Sequence, residues 1–177
     1  SDIGQEHVEE INLGQPGGNY GFGLREGTFA LDPKDARKLF RLPADDAGNG
    51  FTYPVAQYDH DEGDAVMAGF VYRGRAIPAL QGHYLFGDLV RGRVFHVPVG
   101  ELVQGRQAVI RELTLLDQGR ETTLRQLTGN SQRVDLRFGI DGKGELYLLT
   151  KQDGVVRAVL PARAGTAKPA PGAQVHR

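Results

Sequence analysis

Val66-Met67-Ala68-Gly69-Phe70-Val71-Tyr72-Arg73-Gly74 (VMAGFVYRG) and Tyr84–Arg93 (YLFGDLVRGR) are the stretches whose reading decides the fold. The first is a β-rich apolar run closed by a glycine. In the second, Tyr84–Phe86 and the following Arg91–Val97 flank a turn at Gly87–Val90. The same pattern continues through Ala108–Leu116, Arg133–Phe138, Glu145–Thr150 and Val155–Leu160. Ile140–Gly144 and Gln152–Gly154 carry Asp-Gly pairs, which supply the positive φ that tight hairpin turns need. Roughly nine or ten short strands result, at the spacing of all-β sandwiches, barrels or propellers.

Helical periodicity is scarce. Pro33–Phe40, with Asp32 as N-cap and proline at the first helical position, predicts a surface helix or loop of about two turns. Arg41–Thr52 (RLPADDAGNGFT) reads as a polar surface loop. Residues 162–177, rich in Ala, Gly and Pro, read as a flexible C-terminal tail after one domain spanning residues 1–161.

Composition narrows the classes of function. The 177 residues suit one domain, and 25 glycines with 9 prolines suit many turns. Lys and Arg number 21 against 22 Asp and Glu, so no charge excess argues for nucleic acid or an anionic membrane as partner. No cysteine is present, which excludes disulfides, thiolate zinc sites and cysteine nucleophiles. No apolar run approaches the ~18 residues of a membrane-spanning helix.

The opening segment reads Asp2-Ile3-Gly4-Gln5, then Glu9-Glu10-Ile11-Asn12, then Gly17-Gly18-Asn19-Tyr20-Gly21-Phe22. Read alone, it is a hairpin with acidic side chains in water. Together with Tyr58-Asp59-His60, Val66–Gly74, Ile77–Leu80, Gly82 and Tyr84–Arg93, and with Asp135–Arg137, Gly142 and Glu145–Thr150, it resembles the glucose/sorbosone dehydrogenase family in order along residues 1–160. That family includes soluble pyrroloquinoline quinone (PQQ) sugar dehydrogenases and hedgehog-interacting-protein-like proteins.

The resemblance implies a six-bladed β-propeller of four-stranded blades. This chain is then an all-β, partial β-propeller of about two and a half to three blades, the C-terminal portion. It further implies an N-terminal propeller half as partner, or self-association along open sheet edges, and a periplasmic or secreted location. A calcium ion carrying PQQ would rest on main-chain oxygens at Gly4 and Gln5, with Glu9 and Glu10 orienting the loop or binding a second ion. The cofactor-binding candidates are Arg91, Arg93, Arg133, Arg137 and His60.

Departures from the family pattern accompany these matches. A cofactor-binding lysine aligns with Val90, and two carboxylate-gripping arginines align near Gln132 and Val134, where only Arg133 and Arg137 are close. The family's catalytic histidine falls upstream of Ser1, so no catalytic residue is assigned here. Arg91 and Arg93 alternate across Gly92, which predicts one side of a strand, facing an anionic ligand or pairing with Asp88. His60 lines a cleft or is a satisfied structural histidine.

Asp59–Asp64 has the look of a calcium loop but lacks the fifth-position acid and the closing glutamate, where Phe70 stands. A solvated acidic loop is the reading. His7, His83, His96 and His176 show no metal-binding spacing. Two readings of the parent protein follow. One is a PQQ- and calcium-dependent dehydrogenase that oxidises a sugar at its anomeric carbon, with this chain inactive in isolation. The other is a non-catalytic propeller module binding carbohydrate or a protein partner.

Overall fold

A computed structural model describes residues 1–162. All but the first residue of the expected tail, and with it His176, lie outside the described residues. Fourteen short strands form in the described part, more than the nine or ten expected, because several loops between the long runs pair locally. They are β1 (Val8–Ile11), β2 (Arg25–Glu26), β3 (Phe29–Asp32), β4 (Asp35–Arg41), β5 (Ala56–Asp59), β6 (Val66–Val71), β7 (His83–Asp88), β8 (Val94–Pro98), β9 (Arg111–Glu112), β10 (Leu115–Asp117), β11 (Arg120–Thr122), β12 (Leu136–Ile140), β13 (Leu146–Thr150) and β14 (Val155–Ala158). The α-helix among them is α1 (Leu124–Leu127), closed by a capping box between Thr123 and Gln126.

The strands assemble into five small sheets, so the all-β expectation holds. The sheet of order β6-β7-β8-β9 is a four-stranded meander, the form of one propeller blade. The sheet of order β12-β13-β14 has three strands joined by the two expected hairpin turns. In the first turn Asp141 Oδ1 accepts the N–H groups of Lys143 and Glu145, and Gly144 takes the positive φ.

The chain divides into two compact units, residues 1–66 with 100–109, and residues 67–99 with 110 onward. The first unit contains β1-β5 and the β2-β3-β4 sheet. It corrects the expected helix at Pro33–Phe40. Asp32 Oδ1 accepts the N–H of Lys34, making a side-chain turn in place of an N-cap, and β4 then pairs back on β3 with Leu31 opposite Leu39. A helix of two turns has too few internal bonds to form without tertiary support, and strand pairing takes the segment instead. The loop expected at Arg41–Thr52 holds a 3-10 turn at Asp46–Asn49 and is not wholly at the surface. Asp46 is buried, where it takes hydrogen bonds from Arg25 and Tyr53.

In the second unit Tyr72, Leu80, Leu85, Val94, Leu124, Val134, Leu136, Leu146 and Leu148 form a buried apolar cluster. Strand periodicity places them there, since Leu146, Leu148 and Thr150 alternate with half-buried Tyr147 and Leu149 along β13. The β6–β9 and β12–β14 sheets approach closely at Gly69 and Gly87. A Cβ on Gly87 would lie 2.4 Å from the Arg93 carbonyl and 2.9 Å from Leu136 Cδ2. Glu145 ties down the loop after β6, accepting the Tyr72 hydroxyl and the N–H groups of Arg75 and Ala76. Those bonds hold its carboxyl below the ordinary glutamate range.

Two predictions follow from this packing. Leu136 is fully buried, so Leu136→Ala should lower stability to urea by about 2–5 kcal/mol through lost contacts and an unfilled cavity. His96 is depressed to about 4 by burial and by the neighbouring His83 and Arg111. The unfolded chain takes up this proton near pH 6.5 and the folded one only near 4, so stability should fall as pH drops through that window. Urea midpoints against pH in chelator-treated protein should show the slope, and His96→Gln should flatten it.

Candidate functional site

The first unit is organised around three buried glutamates. Glu9, Glu10 and Glu26 are 0%, 7% and 4% exposed, which corrects the reading of Glu9 and Glu10 as acidic side chains in water. Strand β1 carries two of them into the interior because it pairs with β5 on one side and bridges Asp2 on the other. Each is held by donors, as buried charge requires. Glu9 Oε1 lies 2.8 Å from His60 Nε2, and its Oε2 accepts the N–H of Val66 at 2.6 Å. Glu10 accepts the N–H of Gly27 and the side-chain amide of Asn12.

Glu26, which sequence reasoning missed, gathers the predicted calcium loop. Its Oε1 accepts three successive N–H groups, from Glu6, His7 and Val8, at 3.2, 2.6 and 2.8 Å. Gly4 sits against the same carboxylate. A Cβ there would stand 2.0 Å from the Val8 carbonyl oxygen and 2.7 Å from Glu26 Oε1. The loop of Gly4 and Gln5 therefore closes over Glu26 only because residue 4 has no side chain.

Two oxygens in this region are buried without a hydrogen-bond donor, Glu26 Oε2 and Asn12 Oδ1. Both belong to groups beside Glu10, whose carboxyl is pushed above the usual glutamate range. Burial is the chief cause, partly offset by Asn12 and Gly27, while the negative charges of Asp2 and Glu26 add to the rise. A positive charge near Glu26 would offset part of the repulsion that raises Glu10. Among the described residues no three His, Asp or Glu side chains converge into a ready metal-binding group, so an ion would need main-chain oxygens and water to complete its shell. His60 is half-buried and paired with Glu9.

The second unit holds the arginines. Arg91 and Arg93 lie in the turn between β7 and β8, not on a strand as expected, because Gly92 adopts a φ of 73° there. Asp88 accepts the main-chain N–H of Arg91, while the Arg93 guanidinium pairs with Glu112 at 2.7 Å. The turn nevertheless brings Arg91 and Arg93 to one cleft of about 210 Å³. Arg125 joins them there, and the lining includes Val94, Leu113, Leu115 and Leu124. Arg133 and Arg137 do not line that cleft. Arg133 pairs with Asp135, and Arg137 donates to the carbonyl of Leu136.

In the Asp59–Asp64 segment Asp59 Oδ1 accepts the N–H of Asp61, a local turn in the first unit. The cation-loop residues and His60 thus belong to one unit and the four arginines to the other. No helix of the described residues is long and apolar enough to cross a membrane.

Comparison with known proteins gives a family model, glucose/sorbosone dehydrogenase, that matches residues 1–157. The chain belongs to the glucose/sorbosone dehydrogenase family. Similar proteins include HIPL1 protein of Arabidopsis thaliana, 28% identical over 92% of this chain and 24% of that protein. HIPL2 protein of the same plant is 27% identical over 94% of this chain and 25% of its own length. The chain thus spans about a quarter of the length of these relatives. No solved structure gives a significant match.

The glycine of this family motif is open to a direct check. Gly4→Ala should force the Gly4–Val8 loop off Glu26 and cost about 1–3 kcal/mol, the usual range for overpacking. Hydrogen exchange should show faster exchange at Glu6, His7 and Val8, with the amides of the β12–β14 sheet unchanged.

Proposed function

We propose that the chain is part of a sugar-oxidising quinoprotein of the dehydrogenase branch, to which it contributes a calcium loop and an anion-binding wall. The observation that carries this reading is the pair of donorless buried oxygens, Glu26 Oε2 and Asn12 Oδ1, beside the buried carboxyl of Glu10. Calcium is a hard cation that takes six to eight oxygens and suits such a set. Glu26, Asn12 and Glu10 would hold it, with main-chain oxygens of Gly4 and Gln5 as further candidates. Glu9 is not among these ligands, because its oxygens are engaged by His60 and Val66.

The arginine cleft fits PQQ chemically. Guanidinium groups of Arg91 and Arg125 suit its carboxylates, Arg93 being paired with Glu112 in the same lining, and the apolar side chains from Val94 to Leu124 suit a flat ring. A bound quinone would supply the hydride acceptor for sugar oxidation, and this chain's residues would bind and orient it. Positive charge and an apolar lining would be their contribution. A periplasmic or secreted location belongs to the same reading.

A second reading, a propeller module that binds carbohydrate or a protein partner without redox chemistry, is favoured by the ion pairs of Arg93 with Glu112 and Arg133 with Asp135. Both pairs divert cationic groups from a quinone.

Terbium luminescence, competed with calcium, separates the parts of this proposal. The wild-type chain should bind one ion and gain thermal stability with calcium, and Glu26→Gln should weaken binding at least tenfold. A PQQ titration with Arg91→Gln and Arg125→Gln as controls, followed by sugar-dependent dye reduction in the full-length protein, tests the cleft. Calcium binding without quinone binding would leave the second reading standing. Failure of both would overturn the quinoprotein assignment.

A further inference from the structure

Two histidines outside the calcium loop meet on the β6–β9 sheet. His83 of β7 stands opposite Pro98, and His96 of β8 stands opposite Leu85, so the two lie diagonally on one face. Their Nδ1 atoms are 2.8 Å apart, with ring centroids 5.0 Å apart and planes inclined at 41°. Both rings are half-buried, and Arg111 of β9 stands directly opposite His96.

We propose that His83 and His96 form a two-imidazole site for a tetragonal divalent transition metal, copper(II) above all. Two facing imidazole nitrogens form a hydrogen bond only when one carries a proton and the other a lone pair. A metal ion can take the place of that single proton and accept both lone pairs. The bite selects the geometry. Two nitrogens about 2.0 Å from one metal and at right angles are about 2.8 Å apart, whereas a tetrahedral pair is about 3.3 Å apart. The observed 2.8 Å is the length of the hydrogen bond between the two rings; a right-angled copper(II) or nickel(II) ion would keep that spacing, whereas a tetrahedral ion would need the nitrogens to part.

Each ring must tilt by roughly 45° from the hydrogen-bonded orientation to aim its lone pair at a shared point. Partial exposure leaves the rings room to do so. The remaining metal positions are open to water or a small anion, because two side chains supply only half of a square plane. Arg111 opposes the metal by charge and gives the site its lever. The oxygen-rich loop around Glu26 is a separate, harder site in the other unit, so this inference stands without the quinoprotein reading.

Copper(II) titrated into the full chain in the presence of saturating calcium tests the proposal, read by calorimetry and by electron paramagnetic resonance. The expected result is a tetragonal signal with hyperfine coupling to two nitrogens. It should weaken at least tenfold in His83→Gln and in His96→Gln, with circular dichroism confirming that each variant folds. Arg111→Gln should tighten copper binding severalfold, which a merely structural histidine pair would not do. Equal copper binding by wild type and the H83Q/H96Q double variant would overturn the site. A signal lacking two equatorial nitrogens, or an Arg111→Gln variant that binds no more tightly, would overturn it as well.

Discussion

Strands of two to seven residues leave many main-chain N–H groups at their ends without ladder partners, and each must be satisfied or exposed to water. This fold answers with carboxylates. Glu26 takes three consecutive N–H groups of the opening loop, Glu9 takes Val66, Glu10 takes Gly27, Asp88 takes Arg91, and Glu145 takes Arg75 and Ala76. An ionised carboxylate is acceptor-only and has about four lone-pair sites, so a single side chain can close a loop that would otherwise need a longer strand. The charge–dipole character of these bonds offsets much of the desolvation of Glu9 and Glu26. The loops are therefore fixed by the interior rather than by their own sequence.

Glycine does the complementary work in the sheets. Gly69 and Gly87 sit where a Cβ would strike the Leu85 and Arg93 carbonyls, so the β6–β9 sheet can lie against Leu136 and Phe138 of β12. Sheets usually pack about 10 Å apart, and the absence of a side chain on one side admits a large one from the other. Gly92 plays a different part. Its positive φ turns Arg91 and Arg93 off the strand line and toward Leu124 and Arg125, which is how residues distant in sequence come to share a cleft.

What was legible in the sequence follows from this division. The strands of the second unit were readable because β-branched and aromatic runs bounded by Gly and Asp-Gly specify strand and turn locally. Pro33–Phe40 misled because Asp32 and Pro33 serve a helix start and a tight turn equally well, and only β3 alongside decides between them. Glu9 and Glu10 were marked as special by the motif but read alone as solvated, since burial of a carboxylate depends on donors far away in the chain. Glu26 carried no local signal at all: its partners are 18 to 20 residues upstream. The His83–His96 pair was invisible for a related reason. A search for helical or His-Glu spacing cannot find a contact set by the register of two strands.

The same carboxylates are asked for structure and for chemistry, and their unused lone pairs show where each use stops. Glu9 has one oxygen on His60 and the other on Val66, so withdrawing them for an ion would unfasten β1 from the residue after β5 or from the start of β6. Glu26 differs. Its Oε1 alone anchors the loop, and Oε2 is left buried with no donor, a costly state for a charged oxygen in a low-dielectric interior. A cation would relieve Oε2 while leaving the three N–H bonds in place, and would at the same time offset the repulsion that raises Glu10. Glu26, which lies outside the Glu9-Glu10 pair that draws the eye, thus has a structural duty compatible with binding an ion, whereas that of Glu9 is not.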